Sequence, residues 1–140
     1  CFSPDNSRMY FCDTGEGRIR AYDYDLATGT PGARNDLPAF ERGVPDGSTI
    51  DADGGLWNAR WDGNCVIRFA PDGRVDTVVE LPAVQPTSVA FGGPGLEDLF
   101  ITTARWTDAP SDADGQLYVV RTGRRGLPVT SFAADWNGTD

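Results

Sequence analysis

Val44-Pro45-Asp46-Gly47-Ser48-Thr49-Ile50-Asp51-Ala52-Asp53-Gly54-Gly55-Leu56-Trp57 reads as a turn, a short strand, a second turn and another strand. Pro45-Asp46-Gly47 is strong turn chemistry, because proline presets φ and aspartate bonds nearby backbone. Versions of the second half stand on either side. Phe2-Ser3-Pro4-Asp5-Asn6 runs into Met9-Tyr10-Phe11, and Phe91-Gly92-Gly93-Pro94-Gly95 runs into Leu99-Phe100-Ile101. Aligning Met9, Leu56 and Leu99 gives spacings of 47 and 43 residues. Propeller blades repeat at roughly 40–50 residues.

Each unit reads alike. An inner strand comes first (Cys1–Ser3, Ser48–Asp51, Ser88–Phe91), then an acidic or glycine-rich turn. An apolar second strand follows (Met9–Cys12, Leu56–Ala59, Leu99–Thr103), and a polar loop leads to a third (Ile19–Tyr24, Val66–Phe69, Gln116–Arg121). Val75, Thr77, Val79 and Leu81 alternate with Asp76, Val78 and Glu80, which predicts a fourth strand with one side mostly polar. Asp36–Phe40 and Val129–Ala133 are the expected fourth strands of the first and third units. The expected fold is all-β, a β-propeller of three blades over 1–43, 44–85 and 86–140. Three blades fall short of the roughly four to eight that close a ring. A partial ring, a chain that pairs with another copy and a different all-β fold all fit this count.

Composition narrows the function. Seventeen glycines and ten prolines punctuate the chain, and no long segment has helical periodicity. A formal net charge of -9 disfavours nucleic acid and anionic membrane surfaces as partners. With no histidine, Ser-His-Asp and Cys-His catalysis are excluded, as is zinc held by imidazole. Cys1, Cys12 and Cys65 form neither a disulfide framework nor a CxxC pair. Free thiols, no membrane-length apolar run and no signal peptide lead to the expectation of a cytoplasmic protein. The absence of an initiator methionine leads to the expectation that sequence precedes Cys1.

In antiparallel blades the entry to each inner strand shares a face with the loop from strand two to strand three. That face carries the loop Asp13-Thr14-Gly15-Glu16-Gly17, Asp46 with Arg60-Trp61-Asp62-Gly63-Asn64, and Thr87 with Arg105-Trp106-Thr107-Asp108-Ala109-Pro110. Counting back four from Ile50 and Phe91 makes Asp46 and Thr87 equivalent. Oxygen ligands on successive inner strands would suit a hard cation in the central channel.

Ser3-Pro4-Asp5-Asn6 with Met9-Tyr10-Phe11-Cys12-Asp13, and Tyr22-Asp23-Tyr24-Asp25 with Thr28-Gly29, resemble the regucalcin/gluconolactonase (SMP-30) family. So do Pro45-Asp46-Gly47 with Ile50 to Trp57, Pro86-Thr87-Ser88-Val89-Ala90-Phe91-Gly92-Gly93, and Leu99 to Ala104. The resemblance implies the C-terminal half of a six-bladed propeller. It also implies metal-dependent hydrolysis of a sugar lactone to the aldonic acid. The family's divalent ion is held by a glutamate, an asparagine and the aspartate of Pro-Asp-Gly. Only the last is matched here, by Asp46, which the resemblance makes metal ligand and general base. Calcium and zinc are the implied ions, with manganese and magnesium as further candidates. The implied partners are a small sugar lactone and either the missing N-terminal half or a second copy of the chain. A non-catalytic metal-binding or interaction propeller is the alternative.

Each candidate also has a plain structural reading. Asp46 can be a turn residue. Arg60 and Arg105 can contact a sugar or a developing carboxylate, or sit in solvated loops. Trp61 and Trp106 can stack on a sugar ring or pack over the channel mouth. Thr87 can line the channel or bond local backbone. Asp51-Ala52-Asp53-Gly54 and Asp112-Ala113-Asp114-Gly115 fail the EF-hand test, because Leu56 and Leu117 stand where glycine is needed. Both are expected to be tight turns.

Overall fold

The computed structural model describes residues 1–106 and 108–130. Among them regular structure is strand, apart from one 3₁₀ turn at Thr14–Glu16. The strands are β1 (Arg8–Asp13), β2 (Arg18–Asp25), β3 (Thr30–Arg34), β4 (Val44–Ile50), β5 (Leu56–Trp61), β6 (Cys65–Phe69), β7 (Val75–Glu80), β8 (Gln85–Gly92), β9 (Asp98–Ala104) and β10 (Leu117–Arg121). They form three antiparallel meanders, β1-β2-β3, β4-β5-β6-β7 and β8-β9-β10. These are three blades of a partial β-propeller.

The middle blade is covered on both faces, so β5 and β6 are buried almost throughout. Side chains alternate along β5. Leu56 joins Tyr10, Ile19, Ile50 and Ile67 in a core against the first blade. Trp57 and Ala59 join Val66, Val89, Leu99 and Ile101 in a second core against the third. Trp57 is fully buried and meets the Phe91 ring edge-on, with centroids 6.0 Å apart. In β7 the expected alternation holds, with Val75, Thr77 and Val79 half-buried and Asp76, Val78 and Glu80 exposed.

Two expectations for the first blade are corrected. Its inner strand is reduced to a single bridge, Phe2 to Met9. Its outer strand is not Asp36–Phe40 but β3. Asp25 accepts from the Ala27 amide, and Gly29, at φ 68°, donates to the Asp25 carbonyl. That tight turn sends the chain straight back along β2. Residues 36–40 are not strand, though Leu37 donates to the Ile19 carbonyl and packs with Phe40 on the first core. In the third blade, 129 and 130 are not strand and 131–133 lie outside the described residues.

After β10 the chain crosses beneath the second and third blades. Gly126 bridges Asp51 and donates to the Leu96 carbonyl, and Ala52 donates to the Arg125 carbonyl. Asp51, fully buried, organises this end. It accepts from the Gly55 amide (2.8 Å), the Trp57 indole (2.8 Å) and the Arg68 Nε (2.6 Å). Burial pushes the Asp51 carboxyl up, but the Arg68 guanidinium, Gly55 and Trp57 outweigh it and hold the group below its ordinary value. Asp51-Ala52-Asp53-Gly54 is thus a turn whose first carboxylate is a structural anchor.

Candidate functional site

The site starts from an irregularity in β4. Pro45 pairs with Arg60, and the ladder next resumes at Ser48 opposite Asn58. Asp46 and Gly47 therefore both stand against Ala59, a β-bulge. In β8, Pro86 pairs with Thr103 and Ser88 with Thr102, which leaves Thr87 as the extra residue. The two positions that sequence spacing equates are both bulge residues. A bulge bends its strand and re-aims a side chain.

Asp46 is half-buried and lines a hollow of about 300 Å³ with Cys1, Tyr10, Cys12, Thr14 and Ser48. Burial raises its pKa, and the Gly47 amide opposes this. A carboxylate short of hydration is a better base and a better ligand for a hard cation than a solvated one. The Asp46 carbonyl is held from two sides. It accepts from the Cys12 thiol at 3.2 Å and from Asn58 Nδ2 at 2.9 Å. Burial, followed by the nearby Asp46 charge, pushes the Cys12 thiol up, so it remains a donor.

The other candidates separate. Arg60 is 2% exposed. Its guanidinium donates to the carbonyls of Phe40 (3.0 Å), Arg42 (3.0 Å) and Gly43 (2.7 Å) and to Asn58 Oδ1 (3.2 Å). It also lies over the Phe40 ring, 5.5 Å from the centroid. The structure places Arg60 inside the blade as a brace, where the sequence left a sugar or carboxylate contact and a solvated loop position both open. The reason is tertiary: the linker before β4 offers a cluster of carbonyls that a buried cation needs. Arg105 is exposed beside the Gly115 turn. Thr87 shares a hydroxyl–hydroxyl bond of 2.7 Å with Thr102.

Trp61 and Trp106 come together edge-to-face, with centroids 6.2 Å apart. Trp106 is 79% exposed. Gln85, which the sequence reading passed over, ties their two loops. Its Nε2 donates to Asp62 at 2.9 Å and its Oε1 accepts from the Trp106 amide at 3.1 Å. Asp114 is buried and accepts from the amides of Val84 and Ser111, so this second Asp-Gly turn is also structural. Asn58 was missed as well. The available signal was a polar residue in an otherwise core strand, two places from Arg60. Gln85 had no such signal, because it reads as loop.

Among the described residues no three cysteine or carboxylate side chains converge as a metal cluster. Asp46 fits as one oxygen ligand of a hard cation, and further ligands would have to come from elsewhere.

Comparison with known proteins agrees with this architecture. Residues 1–105 match the model of the SMP-30/Gluconolactonase/LRE-like region. An L-arabinolactonase of Azospirillum brasilense is 40% identical over 146 residues, covering 98% of this chain and 47% of the relative. A pentonolactonase of Haloferax volcanii is 37% identical over 137 residues, covering 88% and 47%. The crystal structure of a calcium-binding protein, regucalcin, from Agrobacterium tumefaciens superposes with a TM-score of 0.80 at 34% identity. That match covers 91% of this chain and 46% of the other. The chain thus spans about half the length of the curated relatives it matches. The family match over residues 1–105 and the sequence similarity over nearly the whole chain make this chain a member of the SMP-30/gluconolactonase/LRE-like family.

Proposed function

We propose that, in the complete protein, this chain supplies the Asp46 side of a metal-dependent hydrolase of sugar lactones. The observation that carries the reading is the bulge that places Asp46, with its raised pKa, in the hollow beside Cys12 and Ser48. Relatives named as arabinolactonase and pentonolactonase support the substrate class. The relative described as calcium-binding supports a divalent ion. Calcium suits all-oxygen ligation, and zinc, manganese and magnesium are the other ions to test.

When bound, the cation supplies Lewis acidity at the lactone carbonyl. Asp46 helps to hold it and serves as general base. Its carboxylate accepts a proton from water as that water attacks the carbonyl carbon, and it returns the proton to the ring oxygen as the ring ester C–O bond breaks, giving the hydroxy acid and regenerating the carboxylate. Trp61 and Trp106, linked through Gln85, form an aromatic rim suited to the apolar face of a sugar ring. Arg105 and Thr87 are secondary substrate contacts in this reading. No helix among the described residues is long and apolar enough to cross a membrane, and a cytoplasmic setting is proposed with the function.

The test is turnover of pentono- and hexonolactones by the complete protein, with and without divalent ions. Asp46→Ala is expected to lose about 10²–10⁴-fold in kcat, the usual worth of a general base. Unchanged turnover in that variant overturns the assignment. A second reading is a non-catalytic metal-binding or interaction propeller completed by a partner half or a second copy. Phe11 is 48% exposed, and Leu117 and Val119 are 61% and 52% exposed, in the first and third blades. Native mass spectrometry that finds a dimer, together with no lactone turnover, would favour it.

A further inference from the structure

A bulge has a local cost: the carbonyls it displaces leave the ladder, and buried carbonyls need donors. In β4 the displaced groups belong to Asp46 and Gly47. The Cys12 thiol serves the Asp46 carbonyl from the first blade, and the donor that reaches both carbonyls is Asn58, which is fully buried on the neighbouring strand. Its Nδ2 lies 2.9 Å from the Asp46 carbonyl, 3.4 Å from the Gly47 carbonyl and 2.9 Å from Ser48 Oγ.

Which way this amide faces follows from donor chemistry. Arginine only donates, so Arg60 Nη1, 3.2 Å away, must meet Oδ1. Nδ2 is then left pointing at the bulge. Arg60 is itself fastened to the linker carbonyls of Phe40, Arg42 and Gly43. A continuous chain therefore runs from the linker through Arg60 and Asn58 to the backbone of Asp46. With its carbonyl clamped, Asp46 has only its own side-chain torsions with which to choose a direction.

We propose that Asn58 is a positioning residue for the Asp46 carboxylate, holding the bulge in the shape that receives the cation, with Arg60 fixing the direction of the Asn58 amide. This rests on the functional reading of Asp46 given above and adds the residues that orient it. Outer-shell partners that aim a ligand typically change metal affinity by 10–100-fold.

The experiment compares wild-type complete protein with Asn58→Asp, Asn58→Val and Asp46→Ala. Binding of calcium chloride and zinc chloride is followed by calorimetry at a temperature where each variant is folded. Asn58→Asp keeps the size of the side chain and its contact to Arg60 but turns an oxygen toward the carbonyls. Asn58→Val removes the donor and suits a strand. Both are expected to weaken cation binding by about 10–100-fold, with lactone kcat recovering as the ion concentration rises. A purely structural role would lower the melting temperature and leave the dissociation constant of the folded protein unchanged.

Wild-type affinity in both Asn58 variants, with binding lost in Asp46→Ala, overturns the positioning role and leaves the functional reading intact. Binding retained in Asp46→Ala removes the functional reading and this inference with it. If both Asn58 variants unfold where the wild type is stable, Asn58 belongs to the scaffold and the positioning role falls.

Discussion

Gly47 lies so close to Ser88 that a Cβ on it would stand 2.4 Å from the Ser88 hydroxyl and 2.7 Å from the Ser88 Cα. The inner strands of the second and third blades touch at this point, one residue beyond Asp46. The glycine of Pro45-Asp46-Gly47 is therefore needed for close approach between strands, since its φ is not in the left-handed region. Gly47→Ala must push β4 from β8, because backbone as well as side chain is in the way. Overpacking of this kind costs about 1–3 kcal/mol. Urea denaturation of the variant is expected to show that loss, and an unchanged midpoint would mean that the strands separate freely.

Asp51 and Arg68 make the opposite kind of contact, a two-pronged ion pair buried on both sides. Gly55 permits it, since a Cβ there would fall 2.2 Å from the guanidinium. Removing one member of a buried pair strands the other, which costs about 3–5 kcal/mol. Asp51→Asn is expected to lower stability by that order in chemical denaturation. A loss within experimental error would show that Asp76, the second partner of Arg68, suffices alone.

The same carboxylate sets an acid dependence. Its folded pKa lies below the ordinary 3.8, so the unfolded chain takes up the proton first. Its stabilisation is complete above 3.8 and is lost as the pH falls through the lower folded value. Asp5 has the same sign, held to about 2 by the hydroxyl of Ser3, then by the amide and hydroxyl of Ser7. Stability measured on lowering the pH past 3.8 should decline, and Asp51→Asn should flatten that decline.

Asp46 has the opposite displacement, raised by burial. In its proposed role as a cation ligand, Asp46 would bind protons in competition with the cation over a range that begins above the ordinary carboxylate value. Calorimetric affinity of the complete protein for calcium should fall as the pH is lowered through the raised pKa, approaching about tenfold per pH unit. Asp46→Asn should bind weakly at every pH and lose this dependence. A wild-type pH profile in that variant would assign the proton competition elsewhere.

Gln85 carries two loops on one side chain. Gln85→Leu keeps the volume but leaves the Trp106 amide without its acceptor and Asp62 without its donor. A loss of about 1 kcal/mol is expected, together with faster protease nicking in the segment after β9. Equal nicking in wild type and variant would show that the Trp61–Trp106 contact holds the loops without the glutamine.

Strands with an apolar pattern were legible from residue order, as the close match of β5, β6, β7 and β9 to expectation shows. β3 was not, because all five of its residues are exposed and carry no alternation. Asp46 and Thr87 could be equated by counting, since rise per residue is set by covalent geometry. Their shared bulge could not be counted, because it exists only in the pairing of each strand with its neighbour.

Residue order alone determined three β repeats of blade length and Asp46 at the head of an inner strand. Those follow from local backbone preference and periodic burial, which a chain carries within a few residues. Pro45-Asp46-Gly47, which reads as a turn, lies within β4, because pairing with β5 accommodates it as a bulge. Tertiary structure decided how the polar side chains around Asp46 are paired. Arg60, for which the sequence left a sugar contact and a loop position open, is turned inward by carbonyls from residues 40–43, and Asn58, unremarked in the strand, becomes a donor to the Asp46 bulge. Apart from their bond to each other, their partners lie between 10 and 20 residues away along the chain. Only packing brings such groups within hydrogen-bond distance, and burial then obliges them to pair.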